Sequence, residues 1–160
     1  MGVICMELKE LNEKVPFFVQ GIDIEAPKDF VFKLISDYSK HALWITGLED
    51  EKHTDAPEVT GSTFCEKIKM YGFKEEYCGK VLAYEEGKMY QIEVGDKWVD
   101  FKLEYDFEEV NPTKTHLILT AWTLKGTSLH KLFNVFNKRI LEDQLTRLKV
   151  VAETEFNKTK

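Results

Sequence analysis

The chain has 160 residues, enough for one domain whose core buries about two-thirds of the unfolded surface, and its net charge of −6 is spread over interspersed acids and bases. That balance argues against a nucleic-acid-binding surface, and no apolar run approaches the ~20 residues of a membrane span. The opening MGVICMELKE lacks the basic flank and apolar core of a secretory signal, so a cytoplasmic location is expected.

In chain order, the charged lead MELKELNEK reads as a short turn of helix or as disorder. VPFFVQGIDIEA alternates as a strand and ends at Ala26-Pro27. PKDFVFKLIS follows as a helix with Pro27 at its first position, Asp29 in its first turn, and Phe30, Val31, Leu34 and Ile35 on its apolar face. DYSKHALWITGL is a second short helical or irregular piece that carries Trp44 and closes at Gly47. The polar stretch EDEKHTDAPEVTGS leaves room for at most one short edge strand.

From Thr63 the period is two, and five strands are expected: Thr63 to Met70, Phe73 to Tyr84, Met89 to Val94, Trp98 to Val110 and Thr115 to Leu124. Short turns between them make neighbours antiparallel. With Tyr71-Gly72 as a two-residue turn, Met70 faces Phe73, Ile68 faces Glu75, Glu66 faces Tyr77 and Cys65 faces Cys78. Phe64, Ile68, Met70, Phe73, Tyr77 and Val81 then share one face with Glu66 and Glu75.

The last segment, Ser128 to Glu155, has helical spacing throughout. Its stripe runs Leu129, Leu132, Phe133, Phe136, Ile140, then Leu141, Leu145, Leu148 and Ala152, drifting around the helix so that its two halves meet different surfaces. Strand, two short helices, antiparallel strands and a long terminal helix make an α+β fold, with the helix as lid on the sheet's inner face. No linker or repeat divides it, so residues 1–160 are expected to form a single domain, with 1–14 as its flexible or short helical lead.

The stretch IDIEAPKDFVFKLISDYSKHALWITGL, together with THLILTAWTLKG leading into the final helix, resembles the START/Bet v 1-like superfamily, also called SRPBCC or polyketide cyclase/lipid-transport proteins. The likeness runs from about Val15 to Glu155 and rests on the order of elements rather than on a catalytic signature. It implies a helix-grip fold: a curved seven-stranded antiparallel sheet wrapped around the terminal helix, with a cavity between them for a lipid, polyketide or other apolar molecule. It also places Trp44 near the cavity entrance. The same scaffold serves carriers, aromatases, hydrolases and chaperone-binding modules, so fold alone assigns no role.

A small apolar ligand, lipid or polyketide-like, is therefore the expected partner. Phe64, Ile68, Tyr77, Tyr90, Phe101, Tyr105, Leu119 and Leu141 are the expected lining, with Glu66, Glu75, Asn137 and Gln144 as its polar groups. Glu66 and Glu75 are diagonal neighbours on an apolar face, where a carboxylate pair supports a general acid; the alternative is that the hairpin twists both into solvent. Two further functions stay open: a cyclase or dehydratase-type enzyme using such a carboxylate, and a protein-interaction module of the chaperone-activator or ubiquinone-binding kind. The latter, or a homodimer, would use an outer apolar patch of Phe17, Val19, Trp98, Ile118 and Trp122. No cofactor is expected. His41, His53, His116 and His130 form no HxH or HExxH, so no metal site is expected, and Cys5, Cys65 and Cys78 are expected as free thiols, with a Cys65–Cys78 bridge the alternative that their facing, non-hydrogen-bonded positions permit.

Overall fold

The computed structural model of the chain describes residues 8–11 and 14–160. β1 (Lys9–Glu10) and β2 (Phe18–Ile24) precede α1 (Lys28–Ser36) and α2 (His41–Trp44), which are joined through a 3-10 turn at Tyr38–Lys40. Then come β3 (Leu48–His53), β4 (Thr63–Met70), β5 (Phe73–Glu85), β6 (Met89–Gly95), β7 (Val99–Asn111), β8 (Lys114–Gly126) and α3 (His130–Asn157). The expected lead is corrected in part: Lys9 and Glu10 pair with Gly126 and Lys125, while the rest of the segment before Lys14, apart from Leu8 and Leu11, lies outside the described residues.

Among the described residues eight strands form one antiparallel sheet, ordered β3-β4-β5-β6-β7-β8, with β1 and β2 sharing the outer edge of β8. The sheet is thus as wide as the resemblance implies. Tyr71 (φ 51°) and Gly72 (φ 81°) both take left-handed conformations, which gives the turn the twist a two-residue hairpin needs. The register follows as expected, with Ile68 opposite Glu75 and Glu66 opposite Tyr77. Bulges between Val81 and Ala83 and between Asp100 and Phe101 curl the long strands inward.

Cys65 and Cys78 face each other with Cα atoms 4.1 Å apart and are joined by a disulfide, which corrects the expectation of free thiols at these two positions. They occupy a non-hydrogen-bonded pair of the ladder, where opposed side chains come closest. Cys5 lies outside the described residues.

The core lies between the C-terminal half of α3, α1 and the inner face of β2, β7 and β8. Leu145, Leu148 and Ala152 are buried there with Ile24, Val31, Leu34, Ile35, Leu117 and Ala121. Polar contacts fix the same end: Lys149 Nζ donates to the Asp23 carbonyl at 2.6 Å, and the Glu25 amide donates to Glu153 at 3.0 Å. The N-terminal half of α3 departs from expectation. Leu129, Leu132 and Phe136 are 50%, 67% and 54% exposed, and the residue buried on that half is Asn134, whose amide donates to Thr123 Oγ1. The drift of the stripe is the cause: once Leu145 and Leu148 take the core, the earlier apolar residues are turned toward the rim.

Candidate functional site

Between the first half of α3 and the curled sheet the packing opens into a cavity of about 150 Å³. From β4 to β7 it is lined by Phe64, Glu66, Ile68, Tyr77, Tyr90, Ile92, Phe101, Leu103 and Tyr105, and α3 contributes Asn137, Ile140, Leu141 and Gln144. Trp44 closes it from α2. A second void of about 240 Å³ shares Ile68, Met70, Tyr77, Asn137 and Ile140 with the first and runs on between the β4–β5 hairpin, Trp98, Phe133 and Phe136. Tyr71 and Phe73 on its wall are 74% and 73% exposed, so this second space is the outer vestibule.

The fold gathers most of the residues the sequence singles out. Trp44, Phe64, Glu66, Ile68, Tyr77, Tyr90, Phe101, Tyr105, Asn137, Leu141 and Gln144 all border the inner cavity. Two do not. Leu119 is 1% exposed and packed into the core instead of lining the void, and Glu75 stands on the vestibule with Asp96 and Trp98. The pairing of Glu66 with Glu75 therefore separates into one buried and one outer carboxylate. The hairpin twist drives this, carrying Phe73 and Glu75 outward as the strands leave the core.

Sequence reasoning did not connect His41 to this site. α1 ends at Ser36, and its last carbonyls have no partner within the helix. Two side chains three residues apart on α2 fill the gap: Trp44 Nε1 donates to the Leu34 carbonyl at 2.9 Å, and His41 Nε2 donates to the Ile35 carbonyl at 2.7 Å. A carbonyl only accepts, so Nε2 carries a proton. The other ring nitrogen, Nδ1, is then aimed at two carboxylates, Glu51 Oε2 at 2.7 Å and Glu66 Oε1 at 3.5 Å. Glu51 and Glu66 are direct partners across the β3–β4 ladder, and the pair is almost as buried as the imidazole. The one available signal was that His41 precedes Trp44 by three residues, which places both on one helix face.

Charge in this cluster is strongly displaced. Burial alone pushes the His41 imidazole down, but hydrogen bonds to Glu51 and Glu66 and their negative charge outweigh it and hold the ring up at about 9. The Glu66 carboxyl is raised, first by burial and then by Glu51, against the opposing pull of His41. Near neutrality the ring is an imidazolium donating from both nitrogens, and the Glu66 carboxyl binds its proton more tightly than an ordinary glutamate does. Burial also pushes the Tyr77 hydroxyl up to about 12 and raises those of Tyr90 and Tyr105, so all three stay protonated donors. The cavity is thus an apolar chamber with one polar wall able to give or take a proton.

Of the five residues of the expected outer patch, Val19, Ile118 and Trp122 share the outer side of the β2–β8 pair, Val19 lying opposite Thr120 between the other two, while Phe17 and Trp98 leave it. Phe17 turns inward against Phe101, ring centroids 5.2 Å apart, because its amide donates to the Ala121 carbonyl beside β2. Trp98 is held by Asp96, which accepts from its amide, and packs on Phe133 at the vestibule. Val19 is 61% exposed, and the Trp122 ring lies beneath Lys102 Nζ at 4.1 Å.

The chain matches the family described as polyketide cyclase / dehydrase and lipid transport over residues 18–153, and it belongs to that family. Among solved structures it is similar to a START superfamily protein from Mycobacterium smegmatis, at 9% identity and a TM-score of 0.68, covering 89% of this chain and 98% of that one. It is also similar to a protein from Thermus thermophilus, at 14% identity, a TM-score of 0.68 and coverage of 86% and 97%. A third is the Zhui aromatase/cyclase from a Streptomyces species, at 15% identity, a TM-score of 0.62 and coverage of 86% and 88%. At these identities the likeness is one of fold. No curated protein sequence matches the chain. Among the described residues no helix is long and apolar enough to cross a membrane.

Proposed function

We propose that the protein binds a small, mostly apolar molecule with one polar end and carries it enclosed between the sheet and α3. The observation that supports this reading is the cavity itself: a mostly apolar space of about 150 Å³, with His41 and Glu66 together on one wall, that continues into a vestibule of about 240 Å³ bordered by Glu75 and Asp96. A dry apolar cavity of about 150 Å³ takes a benzene-sized guest, and the vestibule extends the reach to a longer molecule. Tyr77, Tyr90 and Tyr105 would flank the guest, Glu66 would hold its polar end, and Asn137 and Gln144 would close over it from the helix.

Native mass spectrometry of the purified protein, followed by solvent extraction and analysis of the extract, tests the proposal. The expected result is one retained apolar molecule per chain, or saturable one-to-one uptake of an apolar fluorescent probe by protein stripped of it. Failure to bind either one sinks the reading.

A second reading, catalysis of a cyclisation or dehydration, is favoured by the burial of Glu66 beside His41 and Glu51. A buried carboxyl that holds its proton more tightly than usual is suited to protonate a departing hydroxyl. Glu66→Gln separates the two: a carrier holds its guest more weakly and has no turnover to lose, whereas an enzyme loses turnover well beyond any loss of binding.

A further inference from the structure

We propose that His41, Glu51 and Glu66 form a binding site for one divalent cation of the zinc, cobalt or manganese class, set in the polar wall of the cavity. One donor atom from each residue lies within 4.8 Å of the other two. In a tetrahedral site with metal–ligand bonds near 2.0–2.1 Å, donors stand about 3.3 Å apart. His41 Nδ1 is 2.7 Å from Glu51 Oε2 and 3.5 Å from Glu66 Oε1, separations that bracket that spacing.

Three separate features point to a cation. The first is the orientation of the ring. Nε2 is tied to the Ile35 carbonyl at 2.7 Å, the outer hydrogen bond by which a ligating imidazole is commonly fixed, and Nδ1 is left as the coordinating atom.

The second is the strand register. Glu51 and Glu66 are paired directly across the ladder, where like charges repel; the His41 ring offsets them in metal-free protein, and a divalent cation taking the place of its Nδ1 proton would offset both. Two carboxylates, a neutral imidazole and a divalent cation sum to zero, which suits a wall otherwise built from Ile35, Trp44 and Phe64.

The third is access. His41 and Glu66 also border the cavity, so the coordination positions the protein does not fill face the void, where water or the polar end of a guest completes the shell. One nitrogen and two carboxylate oxygens suit zinc, cobalt or manganese better than thiolate-seeking ions. The donors come from α2, β3 and β4, regular elements rather than loops, so the set is held in place before the cation arrives.

This site stands apart from the carrier reading, because its test uses the metal alone. Tag-free protein, stripped with chelator and with the Cys65–Cys78 bond intact, is titrated with cobalt chloride and followed by visible absorption. The expected result is saturation at one equivalent, with the d–d bands of nitrogen and oxygen ligation, no sulfur charge-transfer band, and displacement by zinc. His41→Gln and Glu51→Gln should each weaken binding by about a hundredfold or more, since even outer-shell losses cost 10–100-fold. Should a variant fail to fold, the ring resonances of His41 in the wild-type protein supply the same information: zinc must shift them at one equivalent. Absence of saturable binding at millimolar cobalt overturns the proposal. So does a site indifferent to both substitutions, or one whose spectrum shows thiolate ligation from Cys65 and Cys78.

Discussion

Glu51 on β3 and Glu66 on β4 stand directly opposite each other, and the His41 imidazole lies 2.7 Å from the first and 3.5 Å from the second. This one contact joins the short helices to the edge of the sheet and supplies the polar wall of an otherwise apolar chamber. Its strength depends on protons, which makes it measurable.

In metal-free protein the cluster predicts a fall in stability from mildly acidic to alkaline pH. The His41 ring is held near 9 against an ordinary 6.5, so its contribution is complete below about 6.5 and is lost as pH rises through 9. Glu66 acts in the same direction: its carboxyl is raised, so the fold favours the protonated form, and that contribution fades as pH climbs above the ordinary carboxylate value. At 1.36 kcal/mol per pKa unit the histidine contributes at most about 3 kcal/mol. Urea midpoints between pH 6 and 10, measured with chelator present, should decline in the wild type and stay nearly flat in His41→Gln. A wild-type profile flat over that range would remove the imidazolium from the account.

Filling the cavity should abolish binding without unfolding the protein. Ile92 borders the inner void and packs only at the margin of the core. In Ile92→Trp the larger ring has about 150 Å³ of empty space to enter, so its stability cost should stay below the 1–3 kcal/mol usual for overpacking a filled core. Titration with an apolar fluorescent probe should show wild-type uptake and none in the variant, with thermal midpoints close together. Unchanged probe affinity would place the binding site elsewhere.

The sequence made the hairpin readable and hid its most consequential partner. A two-residue turn at Tyr71-Gly72 puts Glu66 opposite Tyr77 by spacing, a bulge at Gly72 would have shifted it, and the structure has the two-residue turn. β3 lies in EDEKHTDAPE, where no apolar alternation sets a register, and its pairing comes from β4. Glu51 beside Glu66 is therefore a tertiary fact, as is His41, which arrives on a four-residue helix oriented by the carbonyls that end α1. Leu132 and Phe136 show the converse limit. Helical spacing announces an apolar face, but burial needs a surface to meet it, and a sheet that curves away to leave a cavity provides none.

That contrast along α3 can be tested by truncation. Leu148 is fully buried between α1 and β2, so Leu148→Ala should cost about 2–5 kcal/mol through lost contacts and a residual void. Leu132 is 67% exposed, and Leu132→Ala should stay within about 0.5 kcal/mol. Chemical denaturation of the two variants decides the matter. Equal losses would mean that both halves of the helix are gripped and that the cavity is closed in solution.

The Cys65–Cys78 bond ties β4 to β5 one residue from Glu66, so reduction should loosen the wall that carries the polar cluster. The two cysteines are 13 residues apart in sequence, and closing a loop of that size lowers the entropy of the unfolded chain by an amount worth up to about 3 kcal/mol. The gain should fall short of that value, because the tight Tyr71-Gly72 turn already restrains the hairpin. The Cys65→Ser, Cys78→Ser double variant should therefore melt lower than the oxidised protein and match the wild type in reductant. Hydrogen exchange should be faster at Glu66 and Tyr77 and unchanged at Leu145 and Leu148, which belong to the distant core. Identical melting of oxidised and reduced protein would show that the strand ladder alone fixes the hairpin.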